Sequence, residues 1–160
     1  MNGKLLLATL ALTLSTGLHA TGDEHHHHHA HSHGEAAPTQ LQLNAGKRWA
    51  TDAALRQAMG TINDGMHEAL PAIHENRLPT ERYSELAELV RHQVAYMVEN
   101  CQLSAAADAQ LHLIIAQLLA GADAMSDTAS GQRDGAVRVV GALGNYASHF
   151  ADDNLKPLQH

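Results

Sequence analysis

Between residues 51 and 150, apolar side chains recur every three or four residues in four stretches that short polar breaks separate. That spacing places them on one side of an α-helix. Four amphipathic helices with short connections predict an all-α, up-down-up-down four-helix bundle over residues 41–155. The stripes are Leu55, Met59, Ile62, Met66, Ala69 or Leu70 and Ile73; Leu86, Val90, Val94 and Met97; Leu111, Ile115, Leu118, Ala122 and Met125; and Ala136, Val139 or Val140, Leu143, Ala147 and Phe150.

Polar residues that favour helix starts stand just before three of these stretches. Thr51 or Asp52 precedes the first, Thr80 the second and Ser104 the third. Their side-chain oxygens can accept hydrogen bonds from the unpaired N–H groups of a first helical turn. We therefore expect these residues to be N-caps.

Residues that weaken helices interrupt the pattern. Pro71 lies inside the first stripe and is expected to kink that helix or to end its first part, because proline lacks a backbone N–H donor. A polar loop is expected at 126–131, ahead of a last helix at about 133–150. Four glycines are expected to weaken their helices and to let neighbouring backbones approach: Gly60, Gly65, Gly141 and Gly144.

The first twenty residues have the features of a secretory signal peptide. Lys4 supplies a positive charge, residues 5–14 form a short apolar run, and Ala20 is a small residue suited to cleavage. No later segment is expected to be long and apolar enough to cross a bilayer, so we expect no membrane insertion after signal removal. The predicted destination is the bacterial periplasm.

The net charge limits the classes of binding partner, and the cysteine count limits how the fold can be stabilised. The formal net charge is -7 with neutral histidine, which disfavours nucleic acid and anionic membrane surfaces because both repel an acidic protein. Cys101 is the only cysteine. An internal disulfide is therefore excluded, and the core must hold the fold together.

Residues 21–40 form a low-complexity segment with almost nothing apolar to bury, and we expect it to be disordered without metal. Imidazole nitrogens suit Cu(II), Ni(II) and Zn(II), and a flexible string of them imposes little geometry. The segment predicts metal capture with poor selectivity; the alternative is a solubilising tail without a metal role. Its seven clustered histidines are His25, His26, His27, His28, His29, His31 and His33.

The positions of the bundle histidines around their predicted helices divide them into surface histidines and one candidate ligand. His67, His74 and His92 lie beside or opposite the apolar stripes and are expected at the surface. His112 lies one turn after Asp108. Such a pair either orients an imidazole as a carboxylate does in metal sites, or is only a satisfied polar contact.

Antiparallel helices bring distant residues to one level of the bundle. Folding the chain at its three turns places Met59 near the level of Met97, Cys101 and His149. Sulfur together with imidazole suits Cu(I). These four residues, with His112, are therefore a candidate bundle site; the alternative is that the methionines and the cysteine only fill the core.

Two stretches carry a resemblance to a known family. Residues 59–64 in the first helix (MGTIND), with residues 145–149 in the last (NYASH), resemble the soluble periplasmic b-type cytochromes with a four-helix bundle. In that family a methionine of the first helix and a histidine of the last ligate a non-covalently bound haem. The resemblance implies haem b held by Met59 and His149, and electron transfer. It covers only these stretches and the helix count.

A second resemblance covers most of the chain after the predicted signal peptide. Residues 43–49, Asp52, 100–103 and 107–112 are similar to small, exported bacterial four-helix proteins that often have a His-rich N-terminus. This resemblance implies the fold and the compartment rather than an activity.

Three hypotheses of function follow. The first is a non-catalytic periplasmic buffer or carrier of copper, zinc or nickel that works with a periplasmic metal-handling protein. The second is a haem b electron-transfer protein, and the third is a partner-binding bundle with an incidental tail. The sequence has no glycine-rich phosphate loop, nucleophile elbow or Cys-x-x-Cys-His motif, and no predicted helix carries a Glu-x-x-His pair. We therefore expect no enzymatic turnover.

Overall fold

The computed structural model describes residues 38–127, 131–156 and 158. Four long helices account for most of this part of the chain: α1 is Ala53–His74, α2 is Thr80–Asn100, α3 is Ala105–Ser126 and α4 is Gln132–His149. At a rise of about 1.5 Å per residue, each is roughly 27–33 Å long. Connections of a few residues make each helix run back alongside the one before it.

The helices pack in the order of the chain. α3 and α4 have the most extensive contact, followed by α2 with α3 and α1 with α2, and α1 also contacts α4. The predicted all-α, up-down-up-down four-helix bundle is therefore confirmed for residues 53–149. The predicted signal peptide at 1–20 and the His-rich residues 25–33 lie outside the described residues.

Side-chain caps start two helices as predicted. Asp52 Oδ1 accepts a hydrogen bond from a first-turn N–H of α1 at 2.7 Å, and Ser104 Oγ accepts one from α3 at 3.3 Å. The prediction for Thr80 is wrong, because Thr80 is the first residue of α2 and Pro79 is the cap, without a side-chain hydrogen bond. The φ of Pro79 is already -65°, so the helix begins directly after it.

α1 continues through Pro71 to His74. The prediction that proline ends the first part of this helix is therefore wrong. Pro71 lacks an N–H donor and its ring crowds the carbonyl four residues earlier, but it lies in the last turn of α1, so little helix follows it. His74 is the last helical residue and Glu75 is the C-cap. The following Asn76 has a positive φ of 53°.

The core consists of the predicted stripes with two shifts of phase. In α3, Ile114 is fully buried and Ile115 only partly; in α4, Tyr146 is fully buried and Ala147 only partly. α3 is apolar on neighbouring positions, so its pattern does not distinguish Ile114 from Ile115. In α4 a buried aromatic ring removes far more apolar surface from water than a methyl group. The α1 and α2 stripes are buried as predicted, including Leu55, Met59, Ile62, Met66, Ile73, Leu86, Val90, Val94 and Met97.

α3 and α4 meet backbone to backbone at Gly121 and Gly135, which we call the glycine contact. A Cβ atom on Gly135 would lie 2.6 Å from the Met125 backbone N and 2.7 Å from the Gly121 backbone O. A Cβ atom on Gly121 would lie 2.6 Å from Val139 Cγ2 and 2.9 Å from the Gly135 backbone O. Neither position accepts a side chain while the helices keep this separation.

The four glycines predicted to let backbones approach do not do so. A Cβ atom on Gly60, Gly141 or Gly144 would meet nothing within 4 Å, and one on Gly65 would meet the side chain of Leu89. That part of the prediction is wrong, because these glycines face open space or a flexible side chain rather than another backbone.

Two short segments close the end of the bundle at which α1 starts and α4 ends. The Trp49 N–H donates to the His149 carbonyl at 2.7 Å, and the Ala151 N–H donates to the Trp49 carbonyl at 2.8 Å. Arg48 forms an ion pair with Asp153 at 2.8 Å. We call residues 47–52 with 149–154 the clasp, because they bind the chain entering α1 to the chain leaving α4.

α3 differs from the other helices in its composition. By length and composition it is apolar enough to cross a membrane, so the prediction that no later segment has these properties is wrong. A core helix of a bundle has the same composition, and in the structure α3 packs between α2 and α4.

Candidate functional site

The predicted metal ligands fall into two sets. The seven tail histidines lie outside the described residues, so metal binding by them stays a prediction. Of the bundle residues, Met59 and Met97 are buried in the hydrophobic core. Their thioethers pack among apolar side chains, which is the environment that the core-filling alternative describes.

Cys101 directly follows α2 and is partly buried. Burial, together with the nearby carboxylates of Asp52 and Asp108, raises the pKa of its thiol to about 11. The thiolate is the form that binds metal and acts as a nucleophile. At neutral pH this thiol stays protonated, so a metal ion would have to displace its proton.

The two candidate histidines of the bundle contact their own helices. His112 is exposed, and its Nδ1 lies 2.9 Å from the Asp108 carbonyl oxygen and 3.5 Å from the Asp108 carboxylate. The predicted contact between Asp108 and His112 is thus present. His149 is partly buried, and its Nδ1 lies 2.8 Å from the Asn145 carbonyl oxygen.

The candidate bundle residues do not form a metal site built from His, Cys, Asp or Glu side chains. Among residues 38–127, 131–156 and 158, no three side chains of His, Cys, Asp or Glu lie together so that they could hold a metal ion. Cys101, His112 and His149 therefore do not form such a group. A copper site or haem site that uses the sulfur of Met59 or Met97 stays a prediction.

A cleft of about 480 Å³ lies elsewhere, between α1 and residues 152–156. This volume is within the range of small-molecule pockets. One wall is a side of α1 and the other is the end of the clasp with the two residues that follow it. The residues that line it are Arg56, Gly60, Asn63, Asp64 and His67 on α1, and Asp152, Asn154, Leu155 and Lys156 opposite.

Two buried polar side chains line this cleft, and they differ in their partners. Asp152 accepts hydrogen bonds from the Tyr146 hydroxyl and from the Asn154 N–H, each at 3.1 Å. Burial and the Asp152 carboxylate raise the pKa of Tyr146. Asn63 is only 5% exposed, and its buried Oδ1 has no hydrogen-bond partner among the described residues. An unpaired buried carbonyl costs about 1–3 kcal/mol.

Asn63 and Asp152 were not among the predicted site residues. A signal for Asn63 exists, because it stands four residues after Met59 and three before Met66 and so interrupts the buried stripe with an amide. No comparable pattern marks Asp152. It follows the last helix and is buried as part of the clasp.

Comparisons of the chain with family models, with curated proteins and with solved structures found no match. Its function must therefore be argued from its own residues.

Proposed function

We propose that this chain is an exported, non-catalytic protein that buffers or carries copper, zinc or nickel. The observation that carries the proposal is the density of imidazoles between residues 25 and 33. Imidazole binds all three metals, and each ion takes two to four such ligands. Seven histidines therefore bind about two or three ions. A periplasmic metal-handling protein would receive the ion from this store.

The candidate metal ligands of the bundle differ in how readily they could bind a metal ion. Nδ1 of His112 and of His149 each lies within hydrogen-bond distance of a carbonyl oxygen of its own helix. The Cys101 thiol holds its proton at neutral pH because its pKa is raised to about 11. A metal ion at Cys101 would have to displace this proton, whereas either histidine could bind one through its other ring nitrogen, Nε2, while Nδ1 keeps its contact.

Metal stoichiometry tests the proposal. We would titrate the metal-free chain from residue 21 onward with Zn(II) and Cu(II) by calorimetry, and measure bound metal after dialysis. One variant lacks residues 21–37, and a length-matched variant has glutamine at the seven tail histidines. Both are expected to lose most of about two or three equivalents, whereas the control His112→Ala with His149→Ala keeps them.

Unchanged stoichiometry in both tail variants would contradict the proposal. Lower pH must weaken binding in the unaltered chain, because each imidazole has to be neutral to coordinate. A visible spectrum of protein from haem-replete cells separates the haem-based alternative. A haem absorption band that Met59→Leu or His149→Ala abolishes would favour that alternative instead.

A further inference from the structure

His67 and His74 lie on one side of α1 and line the same surface groove. Seven residues are close to two full helical turns, so the two side chains project from one face, about 10 Å apart along the axis. Both histidines are exposed. The groove has a volume of about 400 Å³, and its other lining residues are Leu70, Pro71 and Glu75. Two imidazoles therefore flank a small apolar centre.

The rest of the described chain does not engage these two imidazoles. His67 and His74 form no side-chain hydrogen bond or ion pair within it, whereas Nδ1 of His112 and of His149 each contacts a carbonyl oxygen. Asp64, one turn before His67, also has no such partner among the described residues, and it lines the adjoining cleft together with His67. Imidazole and carboxylate groups suit Zn(II), and these three side chains lose no contact by binding it.

One copy of the chain does not complete a zinc site with these ligands. Side chains on a helix lean toward its N-terminus, so the rings of His67 and His74 lean the same way and stay about 10 Å apart. A Zn–N bond is only about 2 Å long, so one ion cannot bind both rings. Glu75 forms an ion pair with Arg77, and no three ligand side chains of the described residues lie together. The missing ligands must come from another molecule.

A second copy of the chain supplies the missing ligands by symmetry. When two α1 helices pack antiparallel about a two-fold axis at Leu70 and Pro71, His67 of each copy faces His74 of the other. Val137 of α4 is 45% exposed and shares a groove with His74, so it extends the apolar centre. Three apolar side chains bury much less than the roughly 800 Å² per partner of a stable interface, and two chains of net charge -7 repel each other. The pairing therefore depends on the metal.

We propose that this face of α1 binds Zn(II) between two copies of the chain. Each of two equivalent ions is held by Asp64 and His67 of one copy and by His74 of the other, and water completes the tetrahedral ligand set. The site goes beyond the proposed capture of metal by the tail, because it uses none of the tail histidines.

Zinc-dependent dimerisation tests the site in a chain whose tail lacks its ligands. The chain from residue 21 onward, with glutamine at the seven tail histidines, is stripped of metal and studied by sedimentation velocity at about pH 7.5, where imidazole is neutral. We expect a monomer without metal, a dimer with about one equivalent of Zn(II) per chain, and a monomer again after EDTA is added. A chain that stays monomeric with zinc would overturn the proposal, and it would leave the separate stoichiometry test of the tail unaffected.

Mixed variants test whether the two histidines of one site come from different copies. His67→Ala and His74→Ala are each expected to abolish zinc-dependent dimerisation, because each removes a ligand from both sites. An equimolar mixture of the two variants is expected to dimerise again, since a mixed pair retains one complete site. The control, His92→Ala with His112→Ala, replaces exposed histidines of α2 and α3 and keeps the dimer. Dimerisation of either single variant alone as in the unaltered chain, or a mixture that stays monomeric, would contradict the proposal.

Discussion

Along one side of the bundle, α3 and α4 come so close at Gly121 and Gly135 that no Cβ atom fits between them. Along another side, α1 stands away from residues 152–156 and leaves a cleft of about 480 Å³. Both sides have a glycine within a helix. At the glycine contact the absent side chain is what allows the helices to touch, whereas at Gly60 it leaves space that nothing in the described chain fills.

The two sides also differ in what they bury. Atoms at the glycine contact belong to the backbone and to Val139. The cleft side buries Asn63, whose Oδ1 has no hydrogen-bond partner in the part of the chain that the structure describes, and Asp152, which accepts a hydrogen bond from Tyr146. Dense packing leaves no place for a polar group without a partner. The polar groups on the cleft side therefore depend on hydrogen bonds for their stability, whereas an added group at the glycine contact reduces stability through steric overlap.

Gly135→Ala tests the close side and is expected to have the largest effect. The new Cβ atom would lie 2.6 Å and 2.7 Å from backbone atoms, which cannot rotate away as a side chain does, so α3 and α4 must separate. We expect the free energy of unfolding to fall by about 3 kcal/mol, the upper part of the range for an overpacked core. Urea denaturation measures it.

The control for that variant lies on the same helix. Gly141→Ala adds a Cβ atom that meets nothing within 4 Å, and should gain about 0.5–1 kcal/mol because alanine favours a helix over glycine. If Gly135→Ala lost less than about 1 kcal/mol, the helices would be free to separate there, and the contrast between the two sides would fail.

Tyr146→Phe tests the paired polar group on the cleft side and has the next largest effect. It removes the hydroxyl that donates to Asp152 at 3.1 Å. The loss is expected to be about 1.5–3 kcal/mol at pH 7, because a buried carboxylate loses a donor. Tyr83→Phe is the matched control and should lose less, since burial raises the pKa of Tyr83 as well but no carboxylate contributes.

Alkaline pH should narrow the difference between Tyr146→Phe and the unaltered protein. Burial and Asp152 raise the pKa of Tyr146 above its ordinary value of 10.0, so the unfolded chain loses this proton at lower pH than the folded chain. Stability from the protonated hydroxyl is complete below about pH 10 and declines as pH rises beyond it. The phenylalanine variant has no hydroxyl proton to lose. A constant difference in urea midpoints from pH 7 to about pH 11 would contradict this assignment.

Local patterns were sufficient to predict the helices and two of their caps. Apolar spacing and a short polar side chain act within one turn, so the neighbours alone narrowed the first N-cap to Thr51 or Asp52, and the structure shows that it is Asp52. The same side chain also accepts a hydrogen bond from the Gln102 N–H at 2.6 Å. That second contact joins the start of α1 to the α2–α3 connection, and no local pattern contains it.

The glycine contact and the cleft depend on what lies opposite a residue. Gly135 and Gly141 both lie within α4. They differ in the space around them, because α3 faces Gly135 whereas a Cβ atom on Gly141 would meet nothing within 4 Å. Asn63 is visible in the sequence as an amide in an apolar stripe, but its missing partner is a property of the packed structure. The proposed metal capture by the tail is the reverse case, because that proposal rests on residue type alone and on no packing.

The smallest expected effect tests whether the space beside Gly60, on the cleft side, is free in the folded protein. Gly60→Ala and Gly144→Ala should each gain about 0.5–1 kcal/mol, because both Cβ atoms meet nothing within 4 Å and alanine loses less backbone entropy on folding. Gly65→Ala should gain less, since its Cβ atom would lie 2.5 Å from Leu89 Cδ2, which must rotate. Thermal unfolding compares the three variants. If Gly60→Ala alone destabilised the protein, the space beside Gly60 would be occupied in the folded protein. The two sides of the bundle would then differ in which groups contact their glycines rather than in the amount of free space beside them.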